Sequence, residues 1–249
     1  EEFNQYGAIG LVWGNDALIP LLDVQARWSP DGKRLFTVQK DQRQVKTLGE
    51  VHHVPLDGSL RPQTKFKKMS FPEDAHVEEY RLLVVDLESD RIQDADYAKL
   101  PITTGGQGGF FENSLGWWGA DNRHAYFVHV DRYYKCARVV EFDSDTGATK
   151  ILFEETSKTH IDLTLHPLGT ACIMPLPETQ ELLWISERNG WAHYYLYSLD
   201  TGELKKTVTS GEWRVRETLH FDDKRRELFL STAGRVEGRD PYYCDLVRV

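Results

Sequence analysis

Serines, histidines and paired carboxylates are the residues from which chemistry would start here, and spacing assembles none of them into a catalytic site. A serine nucleophile needs a base beside it and the sharp strand-to-helix turn written Gly-x-Ser-x-Gly, and no such run occurs in the 249 residues. Ser114, close to Gly116, reads as a loop residue. Of the nine histidines, His52 and His53 are adjacent, and His124 and His129 lie five apart. Odd offsets put side chains on opposite faces of a strand, so neither pair shares an ion. Cys136, Cys172 and Cys244 are odd in number and match no zinc, redox or disulfide spacing. The carboxylate pairs Glu78-Glu79, Glu154-Glu155 and Asp222-Asp223 are contiguous, whereas acid/base work needs two carboxyls facing one site. They read as solvated turn residues. The glycine-rich run Thr103-Thr104-Gly105-Gly106-Gln107-Gly108-Gly109 lacks the Lys-Ser/Thr of a phosphate cradle. The expectation is a chain with no catalytic residue, no metal and no cofactor of its own.

The elements that would position any site are repeats. Trp28-Ser29-Pro30-Asp31-Gly32-Lys33-Arg34-Leu35-Phe36 is the clearest copy, and Trp118-Gly119-Ala120-Asp121-Asn122-Arg123-His124-Ala125-Tyr126-Phe127 repeats its layout. Weaker copies occupy 177–184 and 221–229. Each is a polar turn followed by a short apolar strand. A second unit follows each copy, at 81–92, 137–152, 194–208 and 242–249. Recurrence of a turn-plus-strand pair every few tens of residues is the mark of a β-propeller. The fold expected is all-β: about four blades of a larger, eight-bladed ring, each blade a four-stranded antiparallel sheet. Tyr126-Phe127-Val128, Leu182-Leu183-Trp184 and Leu228-Phe229-Leu230 should be buried strands of separate sheets. The segment 93–100 could form a helical turn. The stretch 51–79, with Pro55, Pro62, Pro72 and the basic Lys65, Lys67 and Lys68, reads as a long functional loop. Asn189-Gly190 reads as a two-residue hairpin turn, with Trp191 packed at a blade interface. The alternative for Trp191 is an exposed ring stacking on a peptide ligand.

Composition narrows the partners. A formal charge of −9 repels phosphate backbones, which argues against nucleic acid. No stretch approaches the roughly 20 apolar residues of a membrane span. The start Glu1-Glu2-Phe3-Asn4 lacks both an initiator Met and a signal-peptide pattern, and the chain reads as an internal or processed piece. The compartment stays open between periplasmic or secreted and cytoplasmic.

The run Ile185-Ser186-Glu187-Arg188-Asn189-Gly190-Trp191-Ala192-His193-Tyr194-Tyr195-Leu196-Tyr197 resembles the N-terminal β-propeller of dipeptidyl peptidase IV-like serine peptidases, in the prolyl oligopeptidase family. Arg27 to Arg34 is similar to that family's blade-start motif, 52–83 to its basic connector, 204–213 to its Gly-x-Trp linker, and 239–249 to its blade-closing strand. The resemblance runs from about Gln25 to Val249 and marks Trp28, Asp31, Gly32, Glu187, Arg188, Gly190, Trp191 and His193 as its structural motif. It implies an eight-bladed propeller followed by an α/β-hydrolase domain, absent here, that carries the catalytic triad. The chain would then be a partial propeller over 1–249 that covers the active site, admits short peptides and helps hold their N-termini. Dipeptidyl peptidases of the family carry a Glu pair upstream of the motif matching Trp28, and it binds the substrate amine. This chain has Asp16-Ala17-Leu18-Ile19-Pro20-Leu21-Leu22-Asp23 there. An ammonium in a dry site needs a close counter-charge, so Asp16 and Asp23 are weak substrate-binding candidates and dipeptidyl specificity stays open. The partners implied are the chain's own hydrolase domain and short peptides, with a homodimer left open. The rival reading is a free-standing propeller that binds a protein partner.

Overall fold

Each repeated turn closes on a residue in the left-handed region: Gly32 (φ 73°), Asn122 (φ 61°), Gln180 (φ 52°) and Arg226 (φ 59°). Each lies four positions past the end of the strand before it. One backbone geometry thus recurs under four different sequences. The turn aspartates support it: Asp31, Asp121 and Asp222 each accept backbone N–H bonds from residues two or three further on. Such short side-chain-to-backbone bonds are how Asp specifies a turn.

The computed structural model describes residues 4–6, 25–55, 57–101, 110–111, 113–164 and 172–249. In the first sheet β1 (Asn4–Tyr6) and β2 (Ala26–Trp28) pair with successive stretches of one edge of β3 (Arg34–Asp41). The chain then leaves as a two-stranded hairpin, β4 (Thr47–His52) and β5 (Gln63–Lys68), and returns to the first sheet as β6 (Glu79–Asp86) and β7 (Arg91–Asp94). The second sheet comprises β8 (Gly116–Trp118), β9 (His124–Val130), β10 (Cys136–Asp143) and β11 (Thr149–Thr156). The third comprises β12 (Met174–Leu176), β13 (Glu181–Ser186), β14 (His193–Ser198) and β15 (Leu204–Thr207). The fourth has three strands, β16 (Arg214–Asp222), β17 (Glu227–Ala233) and β18 (Cys244–Arg248). All pairings between these strands are antiparallel. The result is a partial β-propeller whose ring is not closed.

The expected strands fall in three separate sheets, in β9, β13 and β17, and all nine residues are buried except the half-buried Phe229. The helical turn expected at 93–100 is absent. Ile92 and Gln93 pair with Val85 and Val84 in β7, and Tyr80 and Leu100 exchange backbone bonds, so the sheet claims both ends of that segment. The helical element among the described residues is a 3-10 turn at Pro177–Thr179.

Packing follows from sheets that bury both faces against neighbours. All six residues of β13, in the third sheet, are buried, whereas β18 alternates between exposed and half-buried. Between the first two sheets, Phe36 meets Phe111, Trp118 and Phe142 at centroid distances of 5.1, 6.2 and 6.0 Å. Between the second and third, Phe153 stacks on Tyr197 at 3.9 Å and meets Trp184 edge-on at 5.4 Å. Alternating strand direction sorts the connections. Tight turns such as 29–33, 144–148 and 199–203 gather at one end, and the longer connections 42–78, 157–173, 187–192 and 234–243 at the other.

Candidate functional site

The Glu187-to-Ala192 connection lies at the long-connection end, between β13 and β14. Ser186 pairs with His193, so the connection spans six residues rather than the two suggested by Asn189-Gly190. The turn is closed by Gly190 N–H donating to the Glu187 carbonyl at 2.8 Å. Asn189 stays out of the left-handed region, which Gly190 takes at φ 91°, and its Oδ1 accepts from Trp191 N–H at 3.1 Å. Trp191 therefore leaves the tip before strand pairing begins. It is 39% exposed, and the interface packing expected of it is replaced by a position on the wall of a groove.

Beneath the tip, Arg188 organises a polar cluster that joins two sheets. Its guanidinium donates to Glu155 Oε2 (2.8 Å), Tyr197 Oη (2.9 Å) and Ser186 Oγ (2.9 Å), and lies 4.1 Å from the Tyr195 ring centroid. Glu155, in β11 of the preceding sheet, also accepts from Trp184 Nε1 at 2.7 Å and Ser186 Oγ at 2.6 Å. A carboxylate whose two oxygens receive these three contacts is satisfied away from water. Its neighbour Glu154 points the other way, to Arg138, as period-two alternation requires.

His193 is fully buried. Its Nε2 lies 3.0 Å from the Gly211 carbonyl and must carry the proton there. Its Nδ1 lies 3.0 Å from Thr209 Oγ1, which also takes the Tyr194 N–H. Both ring nitrogens are thus engaged inside the fold. Glu187 makes a long contact to Arg214, at 3.9 Å.

The other motif residues serve the opposite end. Ser29 Oγ donates to Asp31 Oδ1 at 2.6 Å, a bond that holds the Asp31 carboxyl below its usual range. Trp28 is 54% exposed. Asp16 and Asp23 lie outside the described residues.

Several other reactive residues are engaged within the fold. His124 pairs with Asp121, and His129 with the Tyr97 hydroxyl. Burial pushes the Cys172 thiol up to about 11. Glu78 is tied to Lys40 and Glu79 to Lys99. No group of three His, Cys, Asp or Glu among the described residues could hold a metal ion. The Glu155 cluster was not foreseen from sequence because it joins residues some thirty positions apart. A local signal did exist for the groove: Arg214 and Arg216 alternate along β16 in Glu212-Trp213-Arg214-Val215-Arg216.

Open antiparallel blades and these inter-sheet locks define a piece of a propeller. The chain belongs to the family described as the dipeptidyl peptidase IV (DPP IV) N-terminal region, whose profile matches residues 23–248. It is 22% identical over 216 residues to dipeptidyl peptidase 4 of Arthroderma otae, an alignment covering 83% of this chain and 26% of that protein. Its fold is similar to that of dipeptidyl peptidase 4 from Porphyromonas gingivalis, with a TM-score of 0.66, 17% identity, and coverage of 93% of this chain and 30% of that one. The chain thus spans under a third of the length of the relatives it matches.

Proposed function

We propose that the chain is the non-catalytic propeller region of a dipeptidyl peptidase IV-like serine exopeptidase. In this reading it gates access and helps position short peptides for an α/β-hydrolase domain outside these 249 residues. The observation that carries the reading is the family match across 23–248. The asymmetry of the sheets supports it: the long connections gather at one end, where loops held by a rigid scaffold commonly carry binding. On this reading that end faces the hydrolase domain. Asp16 and Asp23 remain the amine-binding candidates, and whether the enzyme releases dipeptides or single residues follows from them.

The test uses the full-length protein and peptides with free or acetylated N-termini. Release of N-terminal dipeptides or single residues from free peptides only, lost on Asp16→Asn or Asp23→Asn, is the expected result. Absence of a Gly-x-Ser-x-Gly segment beyond Val249, with no peptidase activity, would reject the reading in favour of a free-standing binding propeller.

A second copy of the chain is the remaining partner, and the β4–β5 hairpin is the surface that favours it. Val54, Leu60 and Phe66 are 87, 99 and 73% exposed there. Arg132 anchors the hairpin's return at its base by donating to the carbonyls of Phe71, Pro72 and Asp74.

A further inference from the structure

A groove of about 480 Å³ opens between the Trp191 tip and the 234–243 connection, within the roughly 300–1,000 Å³ of ordinary ligand sites. Its apolar wall is Trp191, Val236, Pro241 and Tyr242. Trp191 and Tyr242 are 39% and 86% exposed, while Trp117, Trp118 and Trp184 are all buried. Tryptophan, tyrosine and arginine are the residues that carry most binding energy at protein surfaces.

Its charges select the ligand. Arg214, Arg216, Arg239 and Glu237 line the groove, in a chain whose net charge is −9. Arg239 is paired with Asp245 and Arg214 lies 3.9 Å from Glu187. Arg216 has no ion pair among those found between described residues, and neither has Glu237. One cation is left to be met by one anion, and one carboxylate is left to accept hydrogen bonds. A polyanion would meet Glu237 with like charge. A peptide segment with a single acidic side chain satisfies both, with its carboxylate on Arg216 and amide N–H groups on Glu237. Its apolar side chains would lie against Trp191 and Tyr242.

We infer that this groove binds an extended peptide segment bearing one carboxylate, and that Arg216 reads the carboxylate. The inference rests on the lining of the groove.

The test uses the 249-residue chain and two fluorescein-labelled pools of nonapeptides, acetylated and amidated. Their flanking positions are varied among neutral residues, and the centre is fixed as Glu in one pool and Gln in the other. Fluorescence anisotropy should show saturable binding of the Glu pool. Binding should weaken by about tenfold or more for the Gln pool and for Arg216→Gln, as expected for loss of a charge-assisted hydrogen bond. Tyr242→Ser, at an exposed position, should weaken both pools alike. Circular dichroism matching the parent chain confirms that each variant is folded. Equal binding of the two pools, no binding of either, or an Arg216→Gln variant that binds the Glu pool unchanged overturns the inference. So does a dimer in sedimentation that Tyr242→Ser dissociates, which would assign the groove to a second copy.

Discussion

Arg188 shows how one side chain ties two sheets together, and what removing it should do. Glu155 has 11% of its side chain exposed and depends on Arg188 for its ionic partner. Arg188→Met should destabilise the chain by roughly 2–3 kcal/mol, below the 3–5 of a fully buried pair because Arg188 is partly exposed. Urea denaturation checks this, and an unchanged midpoint contradicts it. The two tryptophans of the region should separate in the same assay. Trp184→Ala removes a fully buried ring and should cost roughly 3–5 kcal/mol. Trp191→Ala removes a half-exposed one and should cost about 1 kcal/mol or less. The sequence marked Arg188 and Trp191 through the Glu-Arg-x-Gly-Trp run. It could not reveal that Arg188 reaches a carboxylate from another sheet, because nothing local encodes a contact across thirty residues. Nor did it settle Trp191, whose environment depends on where strand pairing stops.

At the scale of elements, Gly202 is where a turn meets its neighbour most closely. Its φ is 76°, and a Cβ there would stand 2.0 Å from the Leu152 carbonyl oxygen of the preceding sheet. Gly58 has nearly the same φ, 77°, with open space around it. Gly58→Ala should therefore cost about 1 kcal/mol from backbone strain alone. Gly202→Ala should cost roughly 2–4 kcal/mol, because rigid backbone must shift as well. Thermal melts of the two variants measure the difference, and equal losses would refute the close-approach account. Both glycines stand in Asp-Gly or Asp-Thr-Gly turns that the sequence displays openly. The β4–β5 hairpin was legible only as a long loop. Period-two patterning records burial of one face; β5 alternates on neither, and β4 alternates only between exposed and half-buried.

For the whole molecule, the carboxylates predict an acid limit. A hydrogen bond from Arg123 holds Asp143 down to about 2, and Arg43 holds Asp41 well below its usual range. Both carboxyls would titrate near 3.9 in the unfolded chain. The unfolded state therefore binds protons first as pH falls, and stability present above about 4 is lost progressively toward 2. Melting temperatures should drop across that span, and Asp143→Asn should flatten the drop. A melting temperature independent of pH from 4 to 2 contradicts the assignment. The isolated chain should also leave Gly-Pro and Ala-Pro chromogenic substrates uncut, because it has no nucleophile elbow. Turnover that survives stringent purification would contradict this. The repeat made the sheets legible, since each copy carries its own turn and strand. Ring size was not, because closure depends on contacts that no single copy encodes.

The turn at Asn122 has a consequence for interchange of parts. Asn122 Oδ1 accepts the Asp31 N–H of the previous turn at 2.8 Å, so one repeat completes the hydrogen bonding of another. The corresponding residue in the first repeat is Gly32, which has no side chain to offer. Arg226, the fourth, uses its side chain on Glu181 of the preceding sheet instead. Repeats that look alike in sequence are therefore joined by different couplings. A gene rearranged so that these units changed places would keep every turn and lose the fittings between them.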